Sequence, residues 1–242
     1  DGVIWDGNNK IPHAAEKVNE IIDSGAPYVF MTNNAMRSRD TYLKRLEKFG
    51  IKTDKEHIIN SSYAAGLYIK EENGPSKIYA VGNDEMKEEL RQTGHELVDY
   101  GADYVVNGLD LTVDYDKLDK GFQNIQNGAK LLACAPDLTY LEEGKIRIGS
   151  GAFARMLELV SGEKLIVVGK PNDAIMNVAL KLLGSEAKDC FVVGDKLNTD
   201  ILAGKNANMK TVLVLTGETS REDVEKSDIK PDYVINDLRK LS

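Results

Sequence analysis

A handful of side chains, far apart along the sequence, have the chemistry to handle a phosphate group. Asp195 and Asp200 follow the apolar run Phe191-Val192-Val193 and Gly194, and carboxylate oxygens are what hard magnesium prefers, one or two being enough because the ion keeps several waters. Lys170 lies in Gly169-Lys170-Pro171-Asn172, after Leu165-Ile166-Val167-Val168, and offers a compact positive charge. Thr32-Asn33-Asn34 follows Tyr28-Val29-Phe30-Met31; it offers a hydroxyl and a turn whose backbone N–H groups can cradle an anion. Asp1-Gly2-Val3 opens the sequence. Hydrolysing a phosphate monoester needs an oxygen nucleophile, a proton donor for the leaving oxygen, donors for the phosphoryl oxygens and a cation against charge repulsion. Singly, each motif has a plainer reading: Gly-Asp as a turn, Thr-Asn-Asn as a helix cap. Together, at matching strand ends, they point to one site.

Those strand ends imply a particular scaffold. Apolar runs at 28–31, 78–81, 104–106, 130–133, 165–168, 191–193, 211–214 and 233–235 alternate with helical stretches, the pattern of a parallel sheet covered by helices, in which function gathers at the carboxyl ends of strands. Tyr42, Leu43, Leu46 and Phe49 make one helical face, with Ser38 as its N-cap. Val178, Leu182 and Leu183 make another, stopped by Gly184. The turn-rich Glu71–Ser76 and the weaker Ser161–Lys164 are the candidate domain boundaries.

Composition narrows the class. The 242 residues carry a net charge of −8, which disfavours a nucleic-acid or acidic-membrane binder, since either would show a basic field. No run approaches the roughly 18 apolar residues of a membrane span. Two distant cysteines, Cys134 and Cys190, favour a reducing cytoplasm over a disulfide framework.

Asp1-Gly2-Val3-Ile4-Trp5-Asp6-Gly7 with Ile11-Pro12 resembles the first motif of the haloacid dehalogenase superfamily, and more closely its branch of 4-nitrophenyl and NagD-like phosphatases. Thr32-Asn33-Asn34 resembles the branch's second motif, Gly169–Asn172 its third, and Gly194–Asp200 its fourth, with Leu215-Thr216-Gly217 also fitting. Asn107–Asp110 and Ala135-Pro136-Asp137 resemble landmarks of its cap. The resemblance implies an α/β fold: a Rossmann-like, doubly wound core of 1–75 and 165–242 and an inserted α/β cap of 76–164. It implies a magnesium-dependent phosphatase for small phosphorylated metabolites, with a homodimer through the cap as a further expectation. Asp1 becomes the general acid/base, its main-chain carbonyl a metal ligand. Thr32, Asn33, Asn34, Gly2 and Lys170 bind the phosphoryl group, Asp195 ligates magnesium, and Asp200 ligates it or orients its ligands. Asp137 faces the substrate.

The same resemblance puts the nucleophile two residues ahead of Asp1, on a central strand, so the expectation is that the sequence is truncated there and that a chain beginning at Asp1 is inactive. A phosphotransferase or mutase on the same fold, or a phosphate-binding module without the nucleophile, are the alternatives. Cys134-Ala135 and Ile148–Ala152 depart from the branch's cap pattern and leave specificity open. His13, His57 and His95 share no metal-ligand spacing, Arg37 reads as a surface residue, Cys134 reads as buried rather than nucleophilic, and Trp5 could border the site. Ala64-Ala65-Gly66 reads as a close helix contact.

Overall fold

The computed structural model describes residues 1–142 and 144–241. They form two compact units, one of Asp1–Phe30, Tyr42–Ile58 and Lys170–Ser242, the other of Met31–Thr41 and Ile59–Gly169.

The second unit is built on a parallel five-stranded sheet, ordered Ile166–Val167, Lys130–Ala133, Tyr104–Asn107, Lys77–Val81, Glu96–Leu97. Its central strands are apolar along their whole length because both faces are covered: Tyr104, Val105, Val106, Leu131 and Leu132 are all buried. One face packs Tyr79, Val105 and Leu131 against Ile125, Ala154 and Leu157, from the helices Tyr115–Gln126 and Ser150–Ser161. The helix Ser61–Asn73 meets the end of Asp84–Gln92 through Gly66, where a Cβ would come within 2.1 Å of Thr93 Oγ1. This is the close helix contact expected of Ala64-Ala65-Gly66. An antiparallel hairpin, Thr139–Glu142 with Lys145–Ile148, completes the unit.

The first unit holds a parallel three-stranded sheet ordered Phe191–Gly194, Lys210–Val214, Tyr233–Ile235 and a short hairpin of Trp5–Asp6 with Asn9–Lys10. Trp5, Tyr42, Leu46, Ile51 and Ile58 form one core cluster, and Ile11, Ala14, Val214 and Leu238 another. Ser38 does start the helix Arg39–Lys48, its Oγ accepting from Thr41 N at 3.2 Å. The helix Asp173–Leu183 stops at Gly184, φ 60°, but its buried face is Ile175, Met176, Val178 and Ala179, and Leu182 is 44% exposed. Phe30–Thr32 pairs with Ile58–Asn60 as a separate two-stranded sheet, and the division between units passes through both strands.

That division differs from the boundaries at 75/76 and 164/165. Residues 59–75 belong to the second unit because the helix Ser61–Asn73 packs on Asp84–Gln92. Residues 165–169 belong there because Ile166–Val167 extends its sheet beside Leu132–Ala133. The Gly74-Pro75 stretch is a turn between a helix and a strand of one body, and turn chemistry alone does not mark a domain edge.

Candidate functional site

In the first unit, Asp195 and Asp200 come together because the chain turns at Gly194, where a Cβ would lie 2.2 Å from Asp200 Cβ. Both oxygens of Asp200 are engaged. Its Oδ1 accepts from Lys170 Nζ at 2.5 Å, and its Oδ2 accepts from the backbone N–H of Asp195 and of Lys196, both at 3.2 Å. Burial alone would raise its pKa, but the Lys170 ammonium and these donors hold it below the usual carboxylate range. Both oxygens thus help to hold Lys170 and the turn.

Asp195 is the opposite case. Its Oδ2 accepts from Glu218 N at 2.9 Å, while among the described residues its Oδ1 has no hydrogen-bond partner. Burial, and then the like charge of Asp200, push its pKa up. Its carboxylate sits where only glycines permit: a Cβ at Gly2, whose φ is 70°, or at Gly217 would come within 2.1 Å of Asp195 Oδ2. Thr216 Oγ1 donates to Gly2 O at 2.6 Å and ties those two stretches together. Asp1 Oδ1 accepts from Trp5 Nε1 at 2.6 Å, and the indole is fixed by Tyr42 at 6.2 Å and the Arg45 guanidinium at 4.3 Å. Trp5 therefore does border the candidate site.

No three His, Cys, Asp or Glu side chains gather around a metal position among the described residues. Magnesium does not require that, since one or two carboxylates plus a carbonyl and waters suffice. The buried carboxylate of Asp195, with one oxygen that has no hydrogen-bond partner among the described residues and Asp200 beside it, fits such a cation.

The second unit brings together another set. Asn33 Nδ2 lies 3.5 Å from Asp137 Oδ2, and a Cβ at Gly169 would fall 2.3 Å from Cys134 O and 2.8 Å from Asn33 Oδ1. The second motif, the Ala135–Asp137 segment and the start of the third motif thus meet. Thr32 Oγ1 accepts from Asn34 N at 3.2 Å and Asn34 Oδ1 from Met36 N at 2.8 Å, so the Asn34 side chain shapes the turn. Ile148–Ala152 lies on Pro136-Asp137, with Gly151 N donating to Asp137 O at 3.0 Å. The side chains of Thr32, Asn33, Asn34 and Asp137 belong to this unit, and those of Asp1, Lys170, Asp195 and Asp200 to the other.

The remaining candidates have structural roles. Burial pushes the Cys134 thiol up to about 12, which removes it as a nucleophile. His95 is buried, donating from Nε2 to Gly66 O and accepting at Nδ1 from Ser76 N. Arg37 is exposed beside Glu85. A cavity of about 470 Å³ in the second unit, lined by Tyr79, Arg91, Lys117 and Lys120 among others, contains no candidate residue. Its cations are already matched, Lys117 by Asp110 at 2.9 Å and Lys120 by Asp99 at 3.0 Å. Sequence reasoning passed over Asn60, Asn83, Glu85 and Glu89, whose spacing looks like ordinary helix starts.

Comparison with known proteins shows the family. A haloacid dehalogenase-like hydrolase family model matches residues 1–96, and a HAD-hydrolase-like model matches 167–241. A 5′-nucleotidase, YutF of Bacillus subtilis, is 32% identical over 98% of this chain and 93% of its own length. The p-nitrophenyl phosphatase of Archaeoglobus fulgidus superposes with a TM-score of 0.94 at 36% identity, over 100% of this chain and 95% of that one. NagD of E. coli K-12 does so at 0.92 and 29%, over 100% and 95%. The chain belongs to the haloacid dehalogenase-like hydrolases, in the branch of NagD-like and 4-nitrophenyl phosphatases.

Proposed function

We propose that this protein hydrolyses small phosphate monoesters with magnesium, through an aspartyl-phosphate intermediate. The observation that carries the reading is the seat of Asp195: a buried carboxylate between two glycines, one oxygen unengaged, beside a Lys170–Asp200 pair. In this reading a carboxylate two positions ahead of Asp1, where the family pattern has it, attacks phosphorus. Asp1, steered by Trp5, gives a proton to the leaving oxygen and then takes one from the water that hydrolyses the intermediate. Lys170, held by Asp200, balances the phosphoryl charge, and Thr32 with Asn33 donates to its oxygens. Bound magnesium would offset the repulsion between the phosphate dianion and the carboxylates of the site.

In this reading Asp137, which lies 3.5 Å from Asn33 Nδ2, contacts the leaving group. Relatives named as a 5′-nucleotidase and a p-nitrophenyl phosphatase support a small organic phosphate as substrate. The test is hydrolysis of 4-nitrophenyl phosphate and a panel of phosphorylated metabolites by the enzyme, with and without chelator. Asp195→Ala should lower turnover by about a thousandfold or more. Unchanged turnover in that variant, or full activity in EDTA, would overturn the assignment.

A further inference from the structure

The segment that follows Thr32 has no helix or strand of its own until Arg39; beside the internal bonds of Thr32 and Asn34, five side chains from outside hold it. Asn60 N-caps the helix Ser61–Asn73, its Oδ1 accepting from Tyr63 N at 2.8 Å, while its Nδ2 donates to Arg37 O at 2.8 Å. Asn83 does the same one helix later: Oδ1 accepts from Met86 N at 3.0 Å and Nδ2 donates to Met36 O at 2.7 Å.

Glu85 and Glu89, one turn apart on the helix Asp84–Gln92, take the opposite polarity. Glu85 Oε2 accepts from Ser38 N, Ser38 Oγ and Thr41 Oγ1 at 2.7, 2.9 and 2.6 Å. Glu89 accepts from Arg39 N at 2.6 Å and Arg39 Nε at 2.8 Å. Two acids thus sit against the first N–H groups of the helix Arg39–Lys48, where both the orphan donors and the helix dipole favour negative charge. Ser61 Oγ closes the frame by donating to Asn33 O at 2.6 Å.

We propose that Asn83 and Glu85, seconded by Asn60 and Glu89, are positioning residues that set the phosphate-binding geometry of Thr32–Asn34. The inference rests on the reading that this loop holds the phosphoryl group. Each asparagine carries two functions on one amide: the oxygen starts a helix and the nitrogen holds the loop. That separates the two roles by substitution. Serine is as good an N-cap as asparagine but has no second arm to reach Met36.

The experiment measures the Kd of inorganic phosphate by calorimetry, in magnesium, together with Tm. Asn83→Ser should keep Tm within a few degrees yet weaken phosphate binding about fivefold, the worth of one lost hydrogen bond. Glu85→Ala should weaken it about tenfold, and Glu85→Gln, which retains one acceptor oxygen for the three donors, should recover most of that. Thr32→Ala is the control for the underlying reading. If Thr32→Ala weakens binding while Asn83→Ser and Glu85→Ala bind as tightly as the parent, the four residues are fold anchors only and the proposal is overturned. If Thr32→Ala itself leaves binding unchanged, the phosphate-loop reading falls first and takes the proposal with it.

Discussion

Each unit contains a buried ion pair, and the two are finished differently. In the second unit Arg39 and Glu89, 7% and 1% exposed, close on each other: both Glu89 oxygens are used by Arg39, and the guanidinium lies 3.5 Å over the Tyr63 ring. In the first unit Lys170 and Asp200 make an equally tight contact, but a second acid, Asp195, stands beside them with an oxygen to spare. The Arg39–Glu89 pair is a structural clamp. Beside the Lys170–Asp200 pair it is the neighbouring Asp195, with one oxygen that has no hydrogen-bond partner among the described residues, that would suit a cation. The mere presence of an ion pair therefore says little; the second acid beside it distinguishes the two.

The sharpest way to break this comparison is Asp195→Asn. It should cost about a thousandfold in metal-dependent turnover, yet raise Tm at pH 7 without metal. The sign follows from linkage: the folded-state pKa is raised by burial and by Asp200, so the folded chain holds that proton more tightly than the unfolded chain, and stability is lost as pH rises through the raised value. Asparagine removes that loss. A Tm that falls would show Asp195 to be a stabilising group, as Glu89 is. Next is Gly217→Ala, which leaves every charge in place but drives a methyl to 2.1 Å from Asp195 Oδ2. Displacing the carboxylate should lower kcat by about a hundredfold, read in steady-state kinetics. A kcat near the parent value would mean the seat of Asp195 is not critical.

For the closed pair, Arg39→Met should destabilise by about 3–5 kcal/mol because Glu89 is left buried and uncompensated. Adding Glu89→Leu should return most of it, since an apolar replacement of a whole pair is often neutral; denaturant unfolding measures both. The smallest effect is expected at Asp232, where Thr211 and Lys205 hold the carboxyl at about 2. A depressed pKa stabilises above the unfolded value and that gain fades as pH falls from about 4 towards 2. The side chain is 38% exposed, so after solvent screening Asp232→Asn should flatten the acid limb of the stability curve by only about 1 kcal/mol.

Much of this was legible in the sequence, for a physical reason. A parallel sheet buried on both faces writes its strands as apolar runs, and residues just beyond those runs stand at the sheet's carboxyl edge. Asp195, Lys170 and Thr32 were singled out as candidates that way. The extent of the second unit was not legible, because it depends on where the helix Ser61–Asn73 packs, and Gly74-Pro75 spells a turn whichever side owns it. Glu96–Leu97 and the hairpin of Thr139–Glu142 with Lys145–Ile148 were missed too: the first is two residues long, and Lys145–Ile148 is exposed along its whole length, without a buried face to print a pattern. The roles of Asn83 and Glu85 could not be read at all. Their signature is that of any helix start, and their partners lie 47 residues away for Asn83 and 44 to 48 for Glu85.

The paired duties of Asn60 and Asn83 have a consequence for cooperativity. One planar amide cannot make its two bonds unless the helix it begins and the loop it holds are both in place. A chain whose helices have frayed at these starts has lost the ties that hold the loop, so on the proposed reading its grip on phosphate would weaken in step with the loosening of this unit.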